Sequence, residues 1–170
     1  MPVRWLLPGL LLSTTAWSAS YRLPPEEFDL VGAIKVVQAQ QEQTLLDIAR
    51  SHDVGQEAIL LANPDVDRWL PGAGARVTSP SRHILPPPPF HGLILNLPEM
   101  RVYYFPEPEP GSRPRVNTYP VSVGRMDWAT PLGETKLVSK QRDPAWHPPE
   151  SIRAEHAAAG DPLPRVVPPG

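Results

Sequence analysis

Few groups in this chain are able to do chemistry, and their spacing narrows them further. The 170 residues contain no cysteine. That excludes a thiolate nucleophile, thiolate metal ligation, disulfides and a lipid anchor carried on cysteine. A serine nucleophile needs a neighbouring base, yet there is neither a Gly-x-Ser-x-Gly elbow nor a Ser-x-x-Lys pair. The densest set of polar donors is His147, Glu150, Glu155 and His156. Their spacing is not His-Glu-x-x-His, and Pro148-Pro149 keeps His147 out of a regular helix with Glu150. These four read as solvated residues around a proline-rich loop. His52, His83 and His91 lie in unrelated contexts and read as surface residues. No catalytic residue, no metal site and no cofactor is expected from these residues.

Composition limits the partners. The formal net charge is −2, with 20% charged residues, so there is no basic field to hold nucleic acid or an anionic membrane. Proline is the outlier at 25 residues, against a usual share of ~5%. Nineteen of those 25 lie at or after Pro80, which predicts turns, short strands and extended connections there. At the N-terminus, Arg4 precedes a short apolar run from Trp5 to Leu12, followed by Ala16-Trp17-Ser18. This pattern predicts a signal peptide over 1–19, cleaved near Ser18 or Ala19, and a periplasmic or secreted protein. The run is too short for a permanent span, which takes ~20 residues.

The elements that position polar groups are clearest between Lys35 and Ser79. Tyr21–Ile34 reads as an extended lead-in with a single turn near Phe28–Leu30. Lys35–Ala39 reads as a strand and Gln40–Gln43 as a polar loop. Thr44 is placed to cap a helix, with Asp47 at the reciprocal position of a capping box. Leu45, Ile48 and Ala49 then share one helical face. A second helix is predicted over Gln56–Ala62, stopped by Asn63-Pro64 because proline disfavours helical geometry in the residue before it. Trp69-Leu70-Pro71-Gly72 reads as a turn with an apolar plug and Ala75–Thr78 as the return strand.

These residues together resemble a LysM domain: Thr44-Leu45, Asp47-Ile48-Ala49-Arg50, Val54, Leu61-Ala62-Asn63-Pro64 and Trp69-Leu70-Pro71-Gly72. The opening departs from the family, since Gln41-Glu42-Gln43 stands where a glycine or aspartate is common. The resemblance implies binding of N-acetylglucosamine-containing glycans in a groove between two loops. Carried over, it implicates Gln41, Glu42, Thr44 and Leu45 on one side, and Asn63, Pro64, Asp65 and Val66 on the other. Thr44 and Asn63 are equally explained as helix caps, and Leu45 as core. Residues 80–91 follow as a linker, with Pro86–Pro89 a stiff polyproline II spacer of about 3.1 Å per residue.

From Gly92 onward the pattern is β-rich. Gly92–Asn96 and Arg101–Phe105 read as a hairpin about Leu97-Pro98-Glu99-Met100. Arg115–Gly124 reads as a third strand and Gly133–Lys140 as a fourth. Here Gly92-Leu-Ile-Leu-Asn, Met100-Arg101-Val-Tyr103-Tyr104, Tyr119-Pro120-Val-Ser-Val-Gly124, Thr130-Pro131-Leu-Gly133-Glu-Thr135 and Pro144-Ala-Trp146-His-Pro148-Pro149-Glu-Ser-Ile152-Arg153 resemble the N-terminal half of an L,D-transpeptidase (YkuD-type) catalytic domain. The fold class expected is α+β: a small βααβ LysM module followed by the N-terminal part of a β-rich sandwich.

That family transfers acyl groups of peptidoglycan stem peptides through a cysteine. The partners implied are peptidoglycan glycan strands and stem peptides, with an outer-membrane lipoprotein as a further acceptor. Downstream of Arg153, neither the family's His-Gly segment nor its Ser-x-Gly-Cys-x-Arg segment occurs among these residues. The expectation is a chain cut before its catalytic centre, which binds peptidoglycan and performs no transfer. The alternative is a non-catalytic secreted peptidoglycan-binding protein. Residues 35–79 are expected to fold independently, and 92–170 to be marginally stable.

Overall fold

A computed structural model describes residues 19–124 and 130–169. The predicted signal peptide lies almost wholly outside these described residues. The chain divides into two compact units, Met1–Ala129 and Thr130–Gly170. Among the described residues, no helix is long and apolar enough to cross a membrane.

The first unit mixes two short helices with two antiparallel sheets. Its elements are β1 (Ala19–Arg22), β2 (Leu30–Gln38), α1 (Leu45–Ser51), α2 (Gln56–Ala62), β3 (Arg76–Ile84), β4 (Gly92–Asn96), β5 (Arg101–Phe105) and β6 (Arg115–Pro120). β2 and β3 pair over nine residues, from Leu30 opposite Ile84 to Gln38 opposite Arg76. The other four strands form a sheet in the order β1-β6-β5-β4.

Both helices lie where the sequence places them, because their signals are local. Thr44 and Asp47 form a reciprocal capping box at the start of α1. Leu45, Ile48 and Ala49 point inward from α1, Ile59 from α2 and Val77 from β3. With Ala39 and Val54 they make one apolar core. Each fully buried Leu or Ile there contributes roughly 1.5–3 kcal/mol. A second core gathers Val31, Leu85, Tyr103, Phe105 and Val116.

The β2–β3 ribbon joins the two cores. Its Val77 end packs with the helices, and its Val31 end packs on the four-stranded sheet. Two expectations change as a result. The lead-in is not merely extended: Ala19–Arg22 pairs with β6, Ala19 opposite Thr118, and Leu30–Ile34 is already β2. Nor is 80–91 a free spacer. Pro80–Ile84 is the second half of β3, and Leu85 is buried in the second core. An antiparallel ribbon propagates while both strands stay in register, and beyond Ser79 the residues Ser81, His83 and Leu85 turn inward.

Gly32 shows how tightly the ribbon is fitted. Its φ is +76°, and a Cβ placed on it would lie 2.0 Å from the Ser81 carbonyl oxygen. Only glycine fits there.

The sheet is covered on one face. Tyr103, Thr118, Val116, Phe105 and Arg101 are buried, whereas Leu93, Leu95, Tyr104 and Tyr119 are exposed. β4 is apolar on both sides, as the sequence suggests, but only the Ile94 side is packed against the core. The third expected strand ends at Pro120 rather than Gly124, although the Val121 N–H still donates to the Met100 carbonyl at 2.8 Å.

The second unit holds one helix, α3 (Glu150–Ala158), which was not expected. It starts directly after Pro149, as a helix tolerates proline just before its first turn. Trp146 and Val167 exchange backbone hydrogen bonds of 2.9 and 2.8 Å. Gly133–Lys140 is not a strand, contrary to expectation. Leu137 and Val138 are 72% and 93% exposed there. Among the described residues of this unit no strand pairs with the segment, so the β-branched pattern forms no ladder.

Candidate functional site

Two loops of the first unit come together beside α1. In the first, the Gln40 N–H donates to Gln43 Oε1 at 2.9 Å, and the Gln43 N–H returns to the Gln40 carbonyl at 3.3 Å. Glu42 sits at the tip with φ +65°. The loop ends at Thr44, whose Oγ1 donates to Asp47 Oδ2 at 2.6 Å and accepts the Asp47 N–H at 3.1 Å. Hydrogen bonds from the Thr44 side chain and backbone hold the Asp47 carboxyl below its ordinary range.

The second loop runs from Asn63 to Gly74. Asp67 Oδ1 accepts both the Trp69 and Leu70 N–H groups at 2.8 Å, which fixes the tip and pulls the Asp67 carboxyl down. The Leu45 N–H then donates to the Arg68 carbonyl at 3.0 Å, tying the second loop to the end of the first. This bond also satisfies one of the free amides at the start of α1.

The eight residues implicated by resemblance divide by what their polar groups are doing. Leu45 is fully buried and belongs to the core. Thr44 is occupied by the capping box. Asn63 is buried and acts as a staple: Nδ2 donates to the Ile59 and Thr78 carbonyls at 2.7 and 2.8 Å, while Oδ1 accepts the Thr78 N–H at 2.7 Å. It finishes α2 and stands in for a neighbouring strand on the free edge of β3. Val66 is half-buried against the helical core. Gln41, Glu42, Pro64 and Asp65 are exposed. These four remain able to meet a ligand.

The apolar plug expected at Trp69 and Leu70 does not form: Asp67 fixes the turn through its own side chain, and both residues are exposed, at 62% and 71%. The Arg68 guanidinium carbon lies 4.8 Å from the centre of the Trp69 ring, a cation–π arrangement. Arg68 Nε is buried without a hydrogen-bond partner among the described residues, so the guanidinium is not drawn to that position by an acceptor at Nε. The signal available in the sequence was an aromatic residue inside a turn that a hydrophobic core does not need.

A second polar group lies between the ribbon and the sheet, and the sequence concealed it. Arg101 is buried: Nη1 donates to Thr118 Oγ1 at 2.9 Å and Nη2 to the Asp53 carbonyl at 3.0 Å. The Tyr103 hydroxyl donates to Glu99 Oε2 at 2.5 Å and lies 3.1 Å from the Ile84 carbonyl. Burial, then the bond to Glu99, pushes the Tyr103 hydroxyl well above its ordinary pKa. His83, expected at the surface, is 7% exposed, because the alternation of β3 continues inward through Ser79, Ser81 and His83. Burial, with Arg101 nearby, lowers its pKa to about 4, so it is neutral at pH 7. The group has no exposed nucleophile, and it fastens the ribbon to the sheet.

In the second unit His147 and Glu150 are exposed, and His156 Nδ1 lies 3.6 Å from Asp161 Oδ2. Among the described residues no cluster of three or more His, Asp or Glu side chains is disposed to hold a metal ion.

Comparison with known proteins bears on the β-rich half. Residues 91–165 match the L,D-transpeptidase catalytic domain (YkuD). Over nearly its whole length the chain is similar to proteins named as probable L,D-transpeptidases. YcfS of Escherichia coli K12 is 37% identical over 98% of this chain and 53% of the relative. YbiS of the same strain is 36% identical over 92% of this chain and 51% of the relative. ErfK/SrfK of Salmonella typhimurium is 35% identical over 95% of this chain and 52% of the relative. The chain thus spans about half the length of the curated relatives it matches.

Proposed function

We propose that these residues form the wall-binding and supporting part of a periplasmic L,D-transpeptidase of peptidoglycan. In this reading, 35–79 is a LysM-type module that holds glycan strands containing N-acetylglucosamine. The family's reaction on stem peptides, delivered to a second stem or to an outer-membrane lipoprotein, needs a cysteine that these 170 residues do not contain. They are therefore expected to bind peptidoglycan and to perform no transfer by themselves. A non-catalytic wall-binding protein shares the binding step and differs only in lacking the reaction.

The observation that supports glycan binding best is the joining of the two loops through the Leu45–Arg68 hydrogen bond. It ties the end of the loop carrying Gln41 and Glu42 to the loop carrying Asp65, and all three are exposed polar groups suited to pairing with sugar hydroxyls and amides. The test is sedimentation of the chain with purified peptidoglycan sacculi. Retention of the wild-type chain and loss in a Gln41→Ala, Glu42→Ala, Asp65→Ala variant is expected. Equal retention of that variant, with its fold intact by circular dichroism, places binding elsewhere.

A further inference from the structure

We propose that Trp69 is a stacking platform for one pyranose ring of the glycan, extending the two-loop groove beyond Asn63–Val66. The inference rests on the glycan-binding reading of the module and names the residue that would carry its apolar contact. Several observations bear on it. The indole is 62% exposed although it sits within a turn whose backbone is fixed at both Trp69 and Leu70 by Asp67 Oδ1. A large aromatic held out in water on a fixed backbone loses little conformational freedom on binding. The Arg68 guanidinium covers one face of the ring at 4.8 Å, which orients the indole and leaves its other face for a ligand.

The Leu45–Arg68 bond ties the loop that carries Trp69 and the exposed Asp65 to the end of the loop that carries the exposed Gln41 and Glu42. A pyranose has an apolar face of axial C–H groups and a rim of hydroxyls, with an amide in an N-acetylhexosamine. The arrangement offers both complements: an aromatic face for the C–H groups and short polar side chains for the rim. A peptide strand would instead need a free strand edge here, and the tip has only turn geometry.

The test uses the full chain and immobilised N-acetylglucosamine polymer, with soluble N-acetylglucosamine oligomer and free stem peptide as competitors. Trp69→Ala is expected to weaken binding about tenfold. Trp69→Phe, which keeps an aromatic face, is expected to stay within about threefold. The thermal midpoint should be unchanged in both, because the ring is outside the core. If the wild-type chain binds and Trp69→Ala binds within twofold of it, the platform is overturned while the glycan-binding reading stands. Equal losses in Trp69→Ala and Trp69→Phe overturn stacking as the cause. Displacement by stem peptide but not by sugar overturns the assigned ligand. A wild-type chain that binds no sugar polymer overturns both proposals.

Discussion

Asn63 separates a structural role from a ligand-binding one. Its side chain makes three hydrogen bonds within the first unit: to Ile59, and to both backbone groups of Thr78. Replacing it with alanine removes all three and leaves the Thr78 N–H without its partner on the free edge of β3. Each bond contributes about 0.5–1.5 kcal/mol, so Asn63→Ala should cost about 3 kcal/mol. For a domain of this size that is a fall of roughly 10 °C in thermal midpoint. Asn63→Asp should be worse at neutral pH, because a carboxylate would then face two carbonyl oxygens and donate nothing. The introduced carboxyl would have a raised pKa in the folded state, so this variant regains stability as the pH falls toward 4. Scanning calorimetry or urea unfolding at pH 7 and pH 4.5 measures both effects. An Asn63→Ala midpoint within about 2 °C of wild type refutes the reasoning, as does weaker peptidoglycan binding with an unchanged midpoint.

Three further outcomes are expected. His83 has its pKa lowered to about 4 in the folded chain against an ordinary 6.5, so its contribution to stability is present above 6.5 and lost as the pH falls toward 4. Asp53, raised by burial, acts in the opposite sense. A His83→Gln variant should therefore show a flatter loss of stability between pH 6.5 and 4 than wild type, and an identical slope in both overturns the assignment. Gly32→Ala should abolish folding or lower the midpoint sharply, since its Cβ would lie 2.0 Å from the Ser81 carbonyl oxygen and its φ is +76°. A near-normal melt of that variant means that the ribbon can shift. Brief trypsin treatment should cut first after Lys136 and Lys140, both exposed and outside any strand, and spare Arg101, which is buried. Mass spectrometry of the fragments reads the order, and early cleavage at Arg101 contradicts the packing of β5.

Local chemistry made parts of this molecule legible. Thr44 and Asp47 are three residues apart, and Asn63 precedes a proline. Both helices followed from those neighbours without knowledge of the rest. The hairpin of β4 and β5 was readable for the same reason, since the Met100 N–H closes onto the Leu97 carbonyl at 3.0 Å. The polar loops flanking the helices were also legible, and they supplied the eight residues proposed to touch a sugar. What that list lacked was a way to rank itself. Asn63 looks as available as Asp65 until its three backbone partners are seen.

The sequence by itself determined α1 and α2, the β4–β5 hairpin, the lack of a thiol within these 170 residues and the likeness of the β-rich half to the L,D-transpeptidase catalytic domain. Tertiary structure decided everything that depends on distant partners. Ala19–Arg22 is a strand because β6 offers it an edge across most of the chain, whereas Gly133–Lys140, which has the local pattern of a strand, is not one. His83 and Arg101 are buried because β3 continues past the point where local pattern suggested a linker. Trp69 stands exposed because Asp67 and Leu45 hold its loop away from the core. A strand, a buried charge or an exposed platform is a property of two surfaces meeting or failing to meet, and spacing along the chain describes only one of them.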